Sequence, residues 1–238
     1  MTAFSNQETT RPTVTVEVWS DVVCPWCYIG KRKFASGLAQ VEAELVESGT
    51  DVNFEVSYHP YQLDPTAAPG AAGPVIEAYA KKFGGPERAA AIIANVSERA
   101  AEVGLDFRMD KALRANTLLA HRLIWLAGEA DSSVSQDAMK ERLLKAYFHD
   151  GLNIGDPDVL ADCAAEIGFD RTEVYEFLAS GRGTDEVRAE LEVAGDNGIT
   201  AVPTYVVNGQ WAIPGAQEPE TFAQVLRKMA DQALAGQG

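Results

Sequence analysis

The chain of 238 residues is long enough to bury a substantial core, either as one elaborated domain or as two small ones. Its hydrophobic share of 46% and charged share of 23% are those of an ordinary globular protein. The net charge of −15 argues against a nucleic-acid partner, because binding to a phosphate backbone requires a basic surface. We expect no membrane partner either, since no apolar run approaches the roughly 20 residues of a membrane span.

The N-terminal segment and the cysteine content bear on the compartment. The first twelve residues contain neither the basic nor the apolar region of a secretory signal, so we expect a cytoplasmic protein. Three cysteines are too few, and odd in number, for a structural disulfide framework. In a reducing compartment, a close pair of cysteines therefore indicates a metal site, redox chemistry or two unrelated thiols.

The first part of the chain has a strand–helix–strand pattern. Residues 13–18 alternate between valine and polar residues, which is the periodicity of a strand. Apolar residues then recur at helical spacing over residues 34–45, and residues 52–59 alternate again. The sequence Cys24-Pro25-Trp26-Cys27 comes between the first strand and the helix, so the cysteines lie at the first strand-to-helix turn of a βαβ unit.

The rest of the chain divides into a long helical stretch and a short C-terminal ββα unit. Strand character returns at residues 204–207, and Asn208-Gly209 is a strong signal for a type I′ hairpin turn. A helix is predicted over residues 219–234. Neither the N-terminal βαβ unit nor the C-terminal ββα unit has enough layers of secondary structure to fold alone. We therefore predict that together they form an α/β fold with one four-stranded sheet.

This pattern predicts two domains, one of which is discontinuous. Residues 13–63 and 197–235 form the sheet-containing domain, and residues 64–196 form an all-helical insertion domain.

The cysteine pair is the strongest functional signal. Cys24 is predicted at the N-cap of the helix, with Pro25 in the first turn, where a missing N–H costs nothing. The unpaired N–H groups and the helix dipole both favour a thiolate at that place. We therefore predict Cys24 as the catalytic nucleophile and Cys27, further into the helix, as the catalytic resolving thiol of a thiol–disulfide exchange.

Two other interpretations of the pair remain open. The cysteines could be structural thiols, or they could supply half of a zinc site completed by Cys163 or by one histidine among His59, His121 and His149. Zinc ligands usually come as two close pairs, and the sequence has no second pair. We therefore predict no metal, and we expect Cys163 to be a small buried hydrophobic residue.

Several motifs spread over nearly the whole chain resemble the thioredoxin superfamily, and within it the DsbA-like branch of FrnE type. The resemblance includes Ser20-Asp21 before the C-P-W-C motif, Asn116-Thr117, Ala120-His121-Arg122-Leu123, Ala146-Tyr147-Phe148, Val202-Pro203-Thr204 and Gly215-Ala216. It implies a thioredoxin fold with a large all-helical insertion. It also implies that the Val202–Pro203 bond is cis and lies against the cysteine pair.

The resemblance extends the predicted site beyond the two cysteines. It implies that the backbone of Val202 pairs with an extended substrate strand, as a form of β-augmentation. We assign substrate binding to Pro25, Trp26, Val202, Pro203, Asn116 and Thr117. Asn116 and Thr117 could instead serve as helix N-caps, and we interpret His121 as a packed histidine.

Two departures from the pattern of the family matter. Many relatives carry a buried acid six residues before the first cysteine, which accepts the proton of the resolving thiol; here that residue is Val18. Asp21 or Glu17 could substitute, so the proton acceptor is left open. Strongly oxidising DsbA proteins have histidine before the second cysteine, and here it is Trp26, which predicts a milder redox potential.

The sequence thus predicts a cytoplasmic disulfide oxidoreductase or isomerase acting on protein or small-molecule disulfides. The redox-active pair needs no separate cofactor, although a thiol reductant such as glutathione must recycle it. The resemblance also allows a homodimer. Two alternatives are a glutathione-dependent isomerase or transferase of the 2-hydroxychromene-2-carboxylate isomerase type, whose members typically have serine at position 24, and a chaperone-like protein that binds clients.

Overall fold

The computed structural model describes residues 11–236, so the first ten residues of the polar N-terminal segment lie outside the described part. The elements in chain order are β1 (Thr13–Ser20), α1 (Pro25–Glu47), β2 (Asn53–Pro60), α2 (Val75–Phe83), α3 (Pro86–Glu102), α4 (Leu118–Ala127), α5 (Gln136–Lys145), α6 (Pro157–Ala165), α7 (Arg171–Ser180), α8 (Thr184–Asp196), β3 (Thr204–Val207), β4 (Trp211–Pro214) and α9 (Pro219–Ala235). One π-helical turn, Ala146–Asp150, continues α5.

The four strands form a single sheet in the order β2-β1-β3-β4. Strand β1 is parallel to β2 and antiparallel to β3, and β3 is antiparallel to β4. The β3–β4 turn contains Asn208 and Gly209 with φ of 50° and 64°, the two positive values that a type I′ turn requires. The expected four-stranded α/β sheet, with helices inserted between β2 and β3, is confirmed. The domain boundaries stay predictions.

Helices α1 and α9 pack closely against each other. Gly37 makes the close approach possible, because a Cβ there would lie 2.5 Å from the carbonyl oxygen of Pro219. The rings of Phe34, Tyr205 and Phe222 meet beside this contact with centroids 4.7–5.5 Å apart. Aromatic packing therefore fixes α1, which carries the cysteines, against β3 and α9.

The inserted helices share a continuous hydrophobic core with the sheet-containing part. Helix α5 is held against α1 by Lys31, whose Nζ lies 2.9 Å from Asp137 and 3.1 Å from Glu141. Tyr28 on α1 donates to Glu141 Oε1 at 2.6 Å, and Tyr58 on β2 donates to Asp137 Oδ1 at 2.6 Å. These bonds place one face of α5 directly behind the first turn of α1.

None of the helices within residues 11–236 is long and apolar enough to cross a bilayer.

Candidate active site

The cysteine pair lies at the N-terminus of α1. Cys24 is the N-cap residue with an extended backbone, and Pro25 is the first helical residue. The N–H groups of Cys27 and Tyr28 donate to the Cys24 carbonyl at 3.1 and 3.4 Å, which starts the helix. Both thiols are free, and each cysteine is only 3% exposed. The Cys24 sulfur therefore lies at the positive end of a long helix, where negative charge is stabilised.

The loop before β3 faces Cys24. The Val202–Pro203 peptide bond is cis. The Cys24 thiol donates to the Val202 carbonyl oxygen, with sulfur and oxygen 3.6 Å apart. Pro203 is packed so closely against α1 that a Cβ on Gly30 would lie 3.0 Å from its ring. The loop thus brings a backbone acceptor next to the first thiol.

A cleft of about 1040 Å³ opens beside Cys24, between the start of α1 and the inserted helices α2 and α3. Trp26 is 39% exposed at its edge. The apolar and aromatic side chains that line it are Val23, Pro25, Trp26, Leu63, Val75, Tyr79, Phe83, Ile92, Val96, Tyr147 and Val202. Glu77, Lys81 and Lys82 add charged groups of both signs on the side of α2. Such a cleft suits apolar groups that flank a disulfide.

Cys27 is protected from ionisation. Burial raises the pKa of the Cys27 thiol well above its ordinary value, and the hydrogen bond and charge of Cys24 raise it further. The Lys140 ammonium and the backbone of Asp21 lower it in part. Cys27 is therefore protonated when the pair is reduced at neutral pH, and it must lose a proton before its sulfur can attack.

Asp21 is fully buried, and its carboxylate is occupied by three donors. Oδ1 accepts from the N–H of Val22 and Oδ2 from the N–H of Leu63, both at 2.8 Å. His121 Nε2 lies 3.1 Å from Oδ1 and 3.0 Å from the carbonyl oxygen of Tyr61. Because both neighbours are acceptors, Nε2 carries the proton and donates to them. Asp21 therefore ties the turn that joins β1 to α1 (the redox turn) to α4 and to the loop after β2.

The acid that many relatives carry before the first cysteine has no counterpart here. Val18 is buried in β1, and Glu17 is partly exposed. The buried ionisable group of α5 in this region is Lys140, which is 1% exposed and donates from Nζ to the Ser20 carbonyl at 3.3 Å. Burial lowers the pKa of Lys140 to about 8, against the opposing charges of Cys27, Asp21 and Cys24.

Asn116 and Thr117 make internal contacts just before α4. Asn116 donates from Nδ2 to the Ala67 carbonyl at 2.7 Å, and its Oδ1 caps α4 by accepting from Leu118 N–H at 3.0 Å. Gln62 donates to Thr117 Oγ1 at 3.3 Å. Neither side chain is among the residues that line the cleft. Substrate binding by this pair stays a prediction, and the contacts present here brace the loop that carries it.

The zinc alternative gains no support from the structure. Among residues 11–236, no three His, Cys, Asp or Glu side chains come together as ligands for a metal. Cys163 is fully buried in α6, and burial raises the pKa of its thiol to about 11. It therefore has the setting of a packing residue.

Sequence reasoning missed Lys140. A signal was present, because Lys140 falls on the same helical face as the apolar residues Met139, Leu143 and Leu144, where a lysine is unusual. The sequence alone does not show what faces that position. The cleft-lining Tyr79 of α2 was also missed, and burial raises the pKa of its hydroxyl to about 12.

Comparison with known proteins identifies the family. The sequence model of the DSBA-like thioredoxin domain matches residues 15–227, nearly the whole described chain. The chain belongs to this DsbA-like thioredoxin family. It therefore has the thioredoxin fold with a helical insertion that the sequence predicted, and it belongs with thiol–disulfide oxidoreductases.

Several relatives of this DsbA-like protein show how far the likeness extends. The YwbO protein of Bacillus subtilis (strain 168) is 28% identical over 216 residues, covering 90% of this chain and 96% of its own. The crystal structure of a probable DsbA oxidoreductase from Streptomyces coelicolor is 32% identical, with a TM-score of 0.81, and covers 92% of this chain and 91% of its own.

A more distant structure shares the fold. The cytosolic disulfide reductase DsbM from Pseudomonas aeruginosa has a TM-score of 0.60 at 18% identity, covering 92% of this chain and 99% of its own.

Proposed function

We propose that this protein is a dithiol–disulfide oxidoreductase of protein or small-molecule disulfides, with Cys24 as nucleophile and Cys27 as resolving thiol. The observation that carries the proposal is the position of Cys24. Its sulfur lies at the N-terminus of α1, opens onto an apolar cleft and contacts the Val202 carbonyl. A nucleophilic sulfur, a stabilising helix end and a substrate-sized cleft together are what disulfide exchange requires.

The proposed reaction has two exchange steps. In the first step, the Cys24 thiolate attacks one sulfur of the substrate disulfide, forms a mixed disulfide and releases the other sulfur as a thiolate that takes a proton from solvent. In the second step, Cys27 loses its proton and attacks Cys24, which breaks the mixed disulfide and releases the second substrate thiolate. The substrate disulfide is reduced by two electrons, and the Cys24–Cys27 pair is oxidised to its disulfide.

Three further contacts at the cleft belong to the same proposal. Pro25 and Trp26 line the cleft at the start of α1, and Val202 lines it from the loop before β3. Pro25 and Trp26 contact the apolar residues of the substrate that flank its disulfide. Val202 supplies its backbone to an extended substrate segment, and Pro203 keeps an N–H group and a ligating side chain away from the thiols.

The direction of the reaction follows from the compartment that we propose, the cytoplasm. The glutathione pool there is reducing and would return the pair to its dithiol form, so reductase or isomerase action is favoured over net oxidation. The name of DsbM, a cytosolic disulfide reductase, supports the same direction. Glutathione is the reductant that we propose for recycling.

The redox equilibrium of the pair tests the proposal. The purified protein is equilibrated with defined ratios of reduced and oxidised glutathione, its tryptophan fluorescence is followed, and insulin reduction is measured alongside. We expect a reversible two-electron couple with a potential more negative than about −120 mV, the value of the strongly oxidising DsbA. The Cys163→Ser variant should behave like the wild type, because that thiol is buried in α6.

Two outcomes would overturn the proposal. A pair that never cycles with glutathione, or insulin reduction that survives in the Cys24→Ser variant, would show that Cys24 is not the nucleophile. Full suppression of client aggregation by a Cys24→Ser, Cys27→Ser double variant, without turnover in the wild type, would favour the chaperone-like alternative.

A further inference from the structure

The resolving step requires a group that helps the Cys27 thiol to ionise, and β1 does not supply one. Cys27 is buried and protonated, and the residue six positions before Cys24 is Val18, which has no charge. The carboxylate of Asp21 is occupied by Val22, Leu63 and His121. An acid at the end of β1 is therefore not free to help Cys27 ionise.

We propose that Lys140, on the inserted helix α5, supplies the buried positive charge that lets Cys27 ionise and resolve the mixed disulfide. This inference rests on the proposed function, because it concerns the second step of that reaction. Lys140 contacts no substrate, so it is a positioning residue that acts on Cys27 through its charge.

The geometry places Lys140 behind the redox turn. Its Nζ donates to the carbonyl of Ser20, the residue that ends β1 and precedes Asp21. The backbone of Asp21 in turn forms a hydrogen bond that lowers the pKa of Cys27. The ammonium group is thus held at the end of β1, one residue before Asp21, whose carbonyl accepts from the Cys24 N–H at 3.4 Å. Lys140 and Cys27 are both buried, and in a buried site a positive charge acts on a thiolate with little screening.

Lys140 has no carboxylate partner among the described residues. The two acids beside it on α5, Asp137 and Glu141, are paired with Lys31 instead. Burying an unpaired ammonium costs free energy, and this cost is reduced when a thiolate forms nearby. The charged groups that face Lys140 are Cys27, Cys24 and Asp21, which favour its ammonium form, and Lys31, which opposes it.

The Cys27 proton passes to solvent, and Lys140 keeps its own proton and compensates the thiolate charge. The Cys27 electron pair forms the bond to the Cys24 sulfur. The bond between Cys24 and the substrate sulfur breaks, and the substrate leaves as a thiolate. Above about pH 8 the ammonium form of Lys140 is lost, so its help is lost as well.

A two-phase reaction with the aromatic disulfide dithionitrobenzoate tests this role, in a Cys163→Ser background. Attack by Cys24 releases the first thionitrobenzoate, and resolution by Cys27 releases the second. Stopped-flow absorbance separates the two releases. At pH 7 we expect Lys140→Met to slow the second release by about tenfold or more, and the first release by much less. The control, Lys145→Met, removes an exposed lysine of the same helix and should change neither phase.

A second variant separates charge from hydrogen bonding. Lys140→Gln retains a donor for the Ser20 carbonyl but has no charge, so it should slow the second release as Lys140→Met does. A second release that is unchanged in both variants, restored in Lys140→Gln, or slowed only as much as the first would overturn the inference. If the wild type itself gives no second release, the proposed function fails instead.

A titration that involves no turnover tests the same effect of Lys140 on Cys27. In a Cys24→Ser, Cys163→Ser background, Cys27 is the single remaining cysteine, and its thiolate can be titrated by absorbance at 240 nm. Below about pH 8, where Lys140 holds its ammonium form, we expect Lys140→Met to lower the thiolate absorbance and Lys145→Met to leave it unchanged. An unchanged thiolate absorbance in this pH range would overturn the inference, whatever the activity.

Discussion

Gly30 lies directly against Tyr205, such that a Cβ on Gly30 would come within 2.8 Å of the tyrosine hydroxyl oxygen and 3.0 Å of the Pro203 ring. Gly30 follows Cys27 by almost one helical turn. This contact therefore fixes the distance between the redox turn and the loop before β3, which carries Pro203. A residue without a side chain is required there because protein interiors leave no space for an added carbon atom.

The first prediction concerns Gly30→Ala. We expect it to lower the free energy of unfolding by about 1–3 kcal/mol, through overpacking, and to reduce insulin reduction because Pro203 is displaced. Gly37→Ala should destabilise α1 against α9 similarly but leave the activity per folded molecule intact. Gly195→Ala meets no neighbour in α8 and should not destabilise the protein. Equal loss of activity in the two α1 variants would contradict this assignment.

The second prediction separates the roles of the two thiols. Cys27→Ser should accumulate a stable mixed disulfide between Cys24 and glutathione, because the resolving thiol is missing. Cys24→Ser should form almost none, because Cys27 is buried and its pKa is raised. Intact-mass spectrometry after incubation with oxidised glutathione measures both. A mixed disulfide that forms on Cys27 as readily as on Cys24 would reverse the roles.

The third prediction concerns Asp21. Asp21→Ala removes the acceptor of the Val22 and Leu63 N–H groups and one of the two acceptors of His121, so we expect the free energy of unfolding to fall by about 3 kcal/mol or more. Asp51→Ala is the control, because it removes an exposed ion pair with Arg11 and should change stability by no more than about 1 kcal/mol. Urea unfolding measures both variants. Similar losses in the two would show that the Asp21 network contributes little.

The fourth prediction is a dependence of stability on pH. In the folded protein the pKa of Lys140 is lowered to about 8, whereas an unfolded lysine titrates near about 10.4. Between these values the unfolded chain binds a proton that the folded chain does not, so this group makes the free energy of unfolding rise with pH. Below pH 8 both states are protonated, and the folded state carries the full cost of the buried charge.

Lys140→Met should remove this cost. We expect its free energy of unfolding at pH 7 to exceed that of the wild type by about 1–3 kcal/mol, and the difference to shrink as pH rises from 8 to 10. Urea unfolding of reduced protein across this range measures the difference, with Lys145→Met as the exposed control. A variant less stable than the wild type at pH 7 would mean that the hydrogen bond to Ser20 outweighs the burial of charge.

The fifth prediction concerns the residue before Cys27. Trp26→His places an imidazole donor beside the cysteines, which should stabilise the Cys24 thiolate and hence the reduced form. We expect the redox potential to rise by about 30 mV or more, since 30 mV corresponds to about 1.4 kcal/mol for a two-electron couple. Equilibration with glutathione measures the potential. An unchanged or lower potential would remove the basis for the milder couple expected with Trp26.

Features that depend on short stretches of chain were determined by the sequence alone. The order Cys24-Pro25 at a strand-to-helix boundary already specifies a cysteine at a helix N-terminus, because proline is favoured in the first turn. Asn208-Gly209 specifies its turn, because both residues tolerate positive φ. Alternation and helical spacing likewise specify the order of the strands and helices.

Only the tertiary structure decided what surrounds the two thiols. The contact of Lys140 with the end of β1, and the bond from His121 to Asp21, join segments that are far apart in the sequence. The internal contacts of Asn116 likewise depend on the loop that packs over it. Periodicity tells which residues face inward, but the free energy of a buried charge depends on the groups that meet it there. Those groups are set by how the inserted helices pack against α1 and the sheet.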